Sequence, residues 1–164
     1  MSQTYGGWTN YRWLILTVVV LILDQWTKHL ALAHLQPYQP VEVMAYFNLK
    51  LAFNPGAAFS FLADQGGWQR WFFVVLTFGI SGVLLVWLFR LEKTQRILAI
   101  ALALILGGAI GNVYDRLLYG HVVDFIDWHA AGYHWPAFNI ADSAIVGGAV
   151  LLFVDSLFSK KGES

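Results

Sequence analysis

The chain has 164 residues, no formal net charge and no cysteine; 58% of it is hydrophobic and only 12% charged. Soluble domains carry about twice that charged share, so the apolar excess has to face a solvent other than water. Disulfides, thiol nucleophiles and cysteine metal sites are excluded, and an electrically balanced chain offers no basic face to a nucleic acid.

The first residues, MSQTYGGWTNYRW, are polar and aromatic. The apolar run that follows is too long for a signal-peptide core and lacks a small-residue cleavage site, so a retained membrane helix is expected over about residues 13–33. Three further apolar runs cover about residues 71–89, 97–118 and 140–158. Each has the roughly 20 residues that a bilayer-crossing helix needs and is too long for a barrel strand. Basic residues set the expected orientation. Arg12, the cluster Arg90, Lys93 and Arg96, and the pair Lys160 and Lys161 all fall on one side. That side is expected to be cytoplasmic, with both termini on it. The outer side receives the longer segments, residues 34–70 and 119–139, in which Lys50 and Arg70 are the only lysine or arginine. Trp68, Trp71, Trp128 and Trp135 would form an interfacial aromatic belt there.

In the first outer segment, Phe47, Leu49, Leu51 and Phe53 alternate with Asn48, Lys50, Ala52 and Asn54. This period of two predicts a β-strand, and Asn54-Pro55-Gly56 turns the chain after it. The second outer segment reads as a loop, rich in aromatic residues and histidine between Trp128 and Pro136. The expected fold is an all-α membrane protein of four transmembrane helices. A small β-sheet cradle and a loop or short helix lie on its outer, periplasmic side. Residues 1–164 form a single domain.

The polar residues inside or beside the apolar runs fall at one depth. Asp24 and Lys28 are four apart on the first helix and can pair. Asn112 and Arg116 are four apart on the third, with Asp115 beside them, and Asn139 and Asp142 open the fourth. Asn54 and Asp124 reach the same level from the outer segments. Ionisable groups in membrane helices are costly and face a bundle interior or a polar cavity. Metal spacing such as HExxH is absent, and His121, His129 and His134 read as solvated loop histidines. The serines have no histidine at matching depth. Two aspartates remain, Asp124 and Asp142. Two carboxylates held close share one proton, which lets one activate water while the other protonates a peptide carbonyl and its leaving amine. Such aspartic chemistry needs no metal or cofactor. Gly107, Gly108, Gly111, Gly147 and Gly148 suit close packing of the helices.

Five blocks in this order resemble bacterial lipoprotein signal peptidase, or signal peptidase II: DQWTK (24–28), FNPGAAFS (53–60), GGAIGNVYDR (107–116), VVDFI (122–126) and FNIADS (138–143). The likeness covers essentially the whole chain. It implies an endopeptidase of the bacterial inner membrane that removes the signal peptide from diacylglyceryl-modified prolipoproteins, cutting just before the lipidated cysteine. Asp124 and Asp142 would be the catalytic pair. Asp24, Lys28, Asn54, Gly56, Asn112, Arg116, Asn139 and Ala141 would bind substrate or support the site. The resemblance further implies contact with membrane lipids, inhibition by the cyclic peptide globomycin, and a sufficient monomer. Physical logic gives Arg116 two roles to choose from, holding Asp115 or steadying a substrate carbonyl. The loop from Trp128 to Trp135 would either close over the substrate or anchor at the headgroups. The principal alternative is a small tetraspan transporter, ion- or proton-coupled. The apolar inner halves of the helices argue against it, because a pathway is lined across the full membrane thickness. The GxGD motif of presenilin-like proteases is missing.

Overall fold

The structure is a computed structural model, and it describes residues 7–56 and 68–159. Lys160, Lys161 and the Ala57–Ser60 part of the FNPGAAFS block lie outside them. Among the described residues there are four long helices: α1 (Trp13–His34), α2 (Trp68–Arg90), α3 (Arg96–Tyr119) and α4 (Ile140–Ser159). All four are long and apolar enough to cross a bilayer. Their outer faces carry large apolar side chains in the open, Val75, Val83 and Phe153 among them, each more than 60% exposed. A bundle built for water does not leave such a continuous apolar surface uncovered. The four tryptophans expected at the interface, Trp68, Trp71, Trp128 and Trp135, are all exposed.

α3 is the buried element and packs against the other three helices. Leu84 and Leu88 of α2 and Leu98, Leu102 and Leu106 of α3 form a core at one end, with Trp13 and Leu14 against it. A short 3₁₀ helix, Gly7–Arg12, precedes α1. From it Asn10 donates to the carbonyls of Leu88 and Leu91, at 3.0 and 2.9 Å, satisfying acceptors that the end of α2 leaves open. α3 ends at Gly120, whose φ of 81° suits a residue without a side chain and whose N–H returns to Arg116 O.

The other end carries one antiparallel sheet in the order β1 (Pro40–Met44), β2 (Phe47–Asn54), β3 (Val122–Ala130) and β4 (Tyr133–His134). β2 is the strand that the alternation predicts. β3 and β4 correct the loop reading of the second outer segment: Trp128, His129 and His134 ride on a hairpin that turns at Ala131 and Gly132. Leu51, Val123 and Phe125 pack with Ala31 beneath the sheet. After β4 the chain returns along β3, with Phe138 bridged to Ile126, and enters α4 at Ile140. This return limb delivers Asn139 next to Asp124.

Backbone contact sets the spacing of α3 and α4. A methyl group at Gly108 would fall onto the carbonyl oxygen of Ala141, and one at Gly148 would come within 2.7 Å of Ala101 O. Gly107 faces Val20 in the same way, whereas a methyl group at Gly147 meets nothing within 4 Å. Gly147 therefore has no part in the close packing expected of it. Gly108→Ala is expected to cost about 1–3 kcal/mol, the range for overpacking, while Gly147→Ala stays within about 0.5 kcal/mol. Thermal unfolding of the two variants in detergent checks this. Equal tolerance would show that the α3–α4 spacing is set elsewhere.

Candidate active site

Asn139 is fully buried at the junction of β3, α3 and α4. It caps α4: its Oδ1 accepts the N–H of Asp142 at 2.9 Å, satisfying one of the free donors that open the helix. Its Nδ2 is 2.7 Å from Asp124 Oδ1 and also faces Asn112 Oδ1 and Val123 O, both at 3.2 Å. One short side chain thus touches the strand that carries Asp124 and the helix that carries Asp142.

Asp142 stands in the first turn of α4, half-buried. Its Oδ1 accepts from Asn112 Nδ2 at 2.7 Å and its Oδ2 from the N–H of Asn139 at 3.2 Å. Asp124 is 2% exposed. Burial, followed by the charge of Asp142, pushes its pKa up to about 7, against opposing contributions from Lys28 and from hydrogen bonds with Asn54 and Asn139. Such a carboxyl holds a proton near neutrality while a partner carboxylate stands beside it. Asn54 ends β2, and its Oδ1 takes the N–H of Gly56 at 2.9 Å. Gly56 has φ of 106°, and a side chain there would also run into the ring of Phe73. The turn thereby fixes Asn54 beside Asp124.

Beneath this lies a buried ionic cluster. Lys28 is 1% exposed. Its ammonium is 2.8 Å from Asp24 Oδ2, 2.8 Å from Asp115 Oδ2 and 3.1 Å from Asn112 Oδ1, so its three protons have three acceptors. With the Asn112 oxygen turned to Lys28 and Asn139, its NH₂ is left facing Asp142. Two carboxylates, one partly protonated at neutral pH, three asparagines and a half-buried arginine form a polar site where the sheet meets the bundle. A carboxyl pair of this kind can pass protons to and from a bond presented between them.

A family model described as "Signal peptidase (SPase) II" matches residues 16–158. The chain belongs to the signal peptidase II family. Proteins called lipoprotein signal peptidase are 55% identical in Xanthomonas euvesicatoria, over 92% of this chain and 88% of that one, and 55% identical in Aeromonas hydrophila, over 98% and 96%. The one from Alteromonas mediterranea is 50% identical over 90% of this chain and 81% of that one. Among solved structures, a bacterial membrane enzyme determined by the in meso method at 2.3 Å is 31% identical, with a TM-score of 0.81 over 100% of this chain and 96% of that chain. A second, at 1.9 Å, is 32% identical with a TM-score of 0.77, over 96% and 97%. As a signal peptidase II, the protein is a peptidase and an integral bacterial membrane protein. The transporter alternative gains no support from these relatives.

The structure brings together Asp124, Asp142, Asn54, Asn112, Asn139, Asp24 and Lys28. The N–H of fully buried Ala141 reaches Asp24 Oδ1 at 2.9 Å. One expectation about Arg116 is corrected. It does not hold Asp115: its Nη1 donates to Asn112 O at 3.3 Å, and its guanidinium lies 5.1 Å from the centre of the Phe73 ring. Asp115 pairs with Lys28 instead. Arg116 Nε is buried without a partner among the described residues.

Sequence reasoning missed Gln25, whose Nε2 bridges Asp24 Oδ2 and Asp115 Oδ1 at 3.1 and 2.9 Å. It also placed His129 and His134 in a loop, whereas they sit on the hairpin and take partners there. His134 Nδ1 is 2.9 and 3.0 Å from the two oxygens of buried Asp127, His129 Nε2 is 3.2 Å from Asn48 Oδ1, and the two rings stack at 5.1 Å. Burial works against the charge of Asp127, but the hydrogen bonds from His134 and Asn48 outweigh it and hold its carboxyl below the ordinary carboxylate value. The signal lay in WHAAGYHW, two short runs around a glycine turn, which is a hairpin pattern.

Proposed function

We propose that this chain is an aspartic endopeptidase in which Asp124 and Asp142 cleave the signal peptide from diacylglyceryl-modified prolipoproteins, just before the lipidated cysteine. The observation that carries the reading is the convergence of both aspartates on Asn139. The relatives named lipoprotein signal peptidase supply the substrate class. In the resting pair one carboxyl is ionised and the other protonated, and the two titrate as a unit. The ionised member draws a proton from water, which attacks the scissile carbonyl. The protonated member donates to that carbonyl oxygen, giving a diol; as the C–N bond breaks, the proton taken from water passes to the departing amine and the diol returns a proton to the other carboxylate. Arg116 and Asn54 hold the substrate backbone through their free donors. No cofactor is required. Residues 1–164 act as one membrane peptidase domain, with both termini cytoplasmic and the site at the outer leaflet, a monomer among lipids and a target of globomycin.

Lipid at the cysteine keeps the scissile bond at headgroup depth, where the dyad stands. Purified protein in detergent, given a prolipoprotein with and without the diacylglyceryl group, is therefore expected to cut the modified form before its cysteine and the unmodified form at least about 100-fold more slowly. Mass spectrometry of the products gives the cut site. Equal cleavage of both forms, or a cut elsewhere, would overturn the assignment.

A further inference from the structure

A second pair of carboxylates stands behind the proposed dyad, and the main chain joins the two pairs. Asp24 Oδ1 accepts the N–H of Ala141, the residue before Asp142, at 2.9 Å. Asp115 Oδ2 accepts the N–H of Val123, the residue before Asp124, at 3.0 Å. Lys28 ties the two carboxylates together from 2.8 Å on each side, and Gln25 spans them again. Asp24 and Asp115 are 0% exposed. Each proposed catalytic aspartate thus hangs on a peptide group held by a buried carboxylate, and one ammonium sets the distance between the two holders.

We infer that Asp115 and Asp24, joined by Lys28, are positioning residues that fix the separation of Asp124 and Asp142. The inference rests on the dyad reading above. β3 and α4 are different elements, one in the sheet and one in the bundle, so their relative placement is not determined within either. Two carboxyls can share a proton and straddle a bond only at a defined spacing, and a displacement of about 1 Å can cost 10²-fold in rate. The wild-type cluster holds two carboxylates against one ammonium. Removing Asp115 leaves a matched pair, Asp24 with Lys28, and strands no charge. Its loss therefore tests position rather than charge balance.

The test is steady-state cleavage of a diacylglyceryl lipopeptide by purified Asp115→Ala and Asp115→Asn. Asp115→Ala is expected to lower kcat about 100-fold with KM within about twofold. Asp115→Asn is expected to recover to within about tenfold of wild type, because its amide oxygen still accepts the Val123 N–H. Gly111→Ala probes the other arm without touching a charge, since its methyl group would stand 2.5 Å from Asp24 Oδ2 and displace it. It too should lower kcat and spare KM, and with Asp115→Asn it carries the test if Asp115→Ala does not fold. The clamp is overturned if folded Asp115→Ala, or Gly111→Ala in its place, turns over within about twofold of wild type, if the loss falls on KM, or if Asp115→Asn shows no recovery. These outcomes differ from failure of the dyad reading, in which Asp124→Asn or Asp142→Asn would itself remain active.

Discussion

Asp124→Asn and Asp142→Asn are each expected to lower kcat by about 10³–10⁴-fold, near the top of the range for removing a general acid or base. Their effects on the folded state should differ. Asp124 is buried and its carboxyl is raised to about 7, so in the resting protein it resembles a neutral amide already. Asparagine there keeps both shape and neutrality. A carboxyl raised by burial contributes stability that is fully present below its ordinary value of 3.8 and is lost as pH rises through about 7. Asp124→Asn removes that dependence. Relative to wild type, it should therefore unfold at a higher temperature at pH 8 than at pH 5. Asp142 is different, since its two oxygens accept from Asn112 Nδ2 and the Asn139 N–H. An amide at 142 can accept only through its one oxygen and sets its NH₂ against a donor, so some stability is lost at every pH. In wild type, the rate should fall as pH rises above about 7, when the pair loses its shared proton. Activity assays and thermal melts at pH 5 and 8 decide the matter. Near-normal turnover by either folded variant would remove that aspartate from the chemistry.

The four helices were legible because lipid imposes one simple demand, about 20 apolar residues without interruption. Their ends were not. α2 begins at Trp68, ahead of its apolar run, because Arg70 finds the carbonyl of Leu117 at 2.8 Å and can sit inside a helix there. β2 was legible because apolar and polar side chains alternate along it, although none of its residues is exposed and Asn48 is buried against Asp127. β3 was not, because Val122, Val123 and Phe125 are all buried. A strand covered on both faces shows no alternation, and with Asp124 and Asp127 interrupting it the segment resembles a loop. Adjacency in sequence misled in one place. Asp115 and Arg116 are neighbours in the chain, but successive helical residues face different ways. Asp115 points to Lys28 on α1, and Arg116 points to Phe73 on α2. The i, i+4 pair of Asp24 and Lys28 follows from helix geometry. Its link to Asp115 is tertiary, and no spacing rule reaches across the intervening residues.

Asn139 separates folding from chemistry most sharply. Its Oδ1 serves α4 as a cap, while its Nδ2 serves Asp124. Asn139→Ala removes both. The lost cap costs about 0.5–2 kcal/mol. The lost donor frees Asp124 and leaves Asn112 without one of the two donors that hold its amide, and kcat should fall about 10²–10³-fold. Asn139→Ser restores a good cap, but its hydroxyl is too short to cap the helix and still reach Asp124. Its melting temperature should return towards wild type while kcat stays low. Asn139→Asp also caps well, yet it sets a third carboxyl beside Asp124 and Asp142, where like charges repel. Its kcat should be no better than that of Asn139→Ala, despite the more stable helix start. Melting temperature and kcat measured across the three variants should therefore separate. If Asn139→Ser recovers rate in step with stability, Asn139 is a helix cap alone, and the alignment of the two aspartates must come from the buried cluster around Lys28.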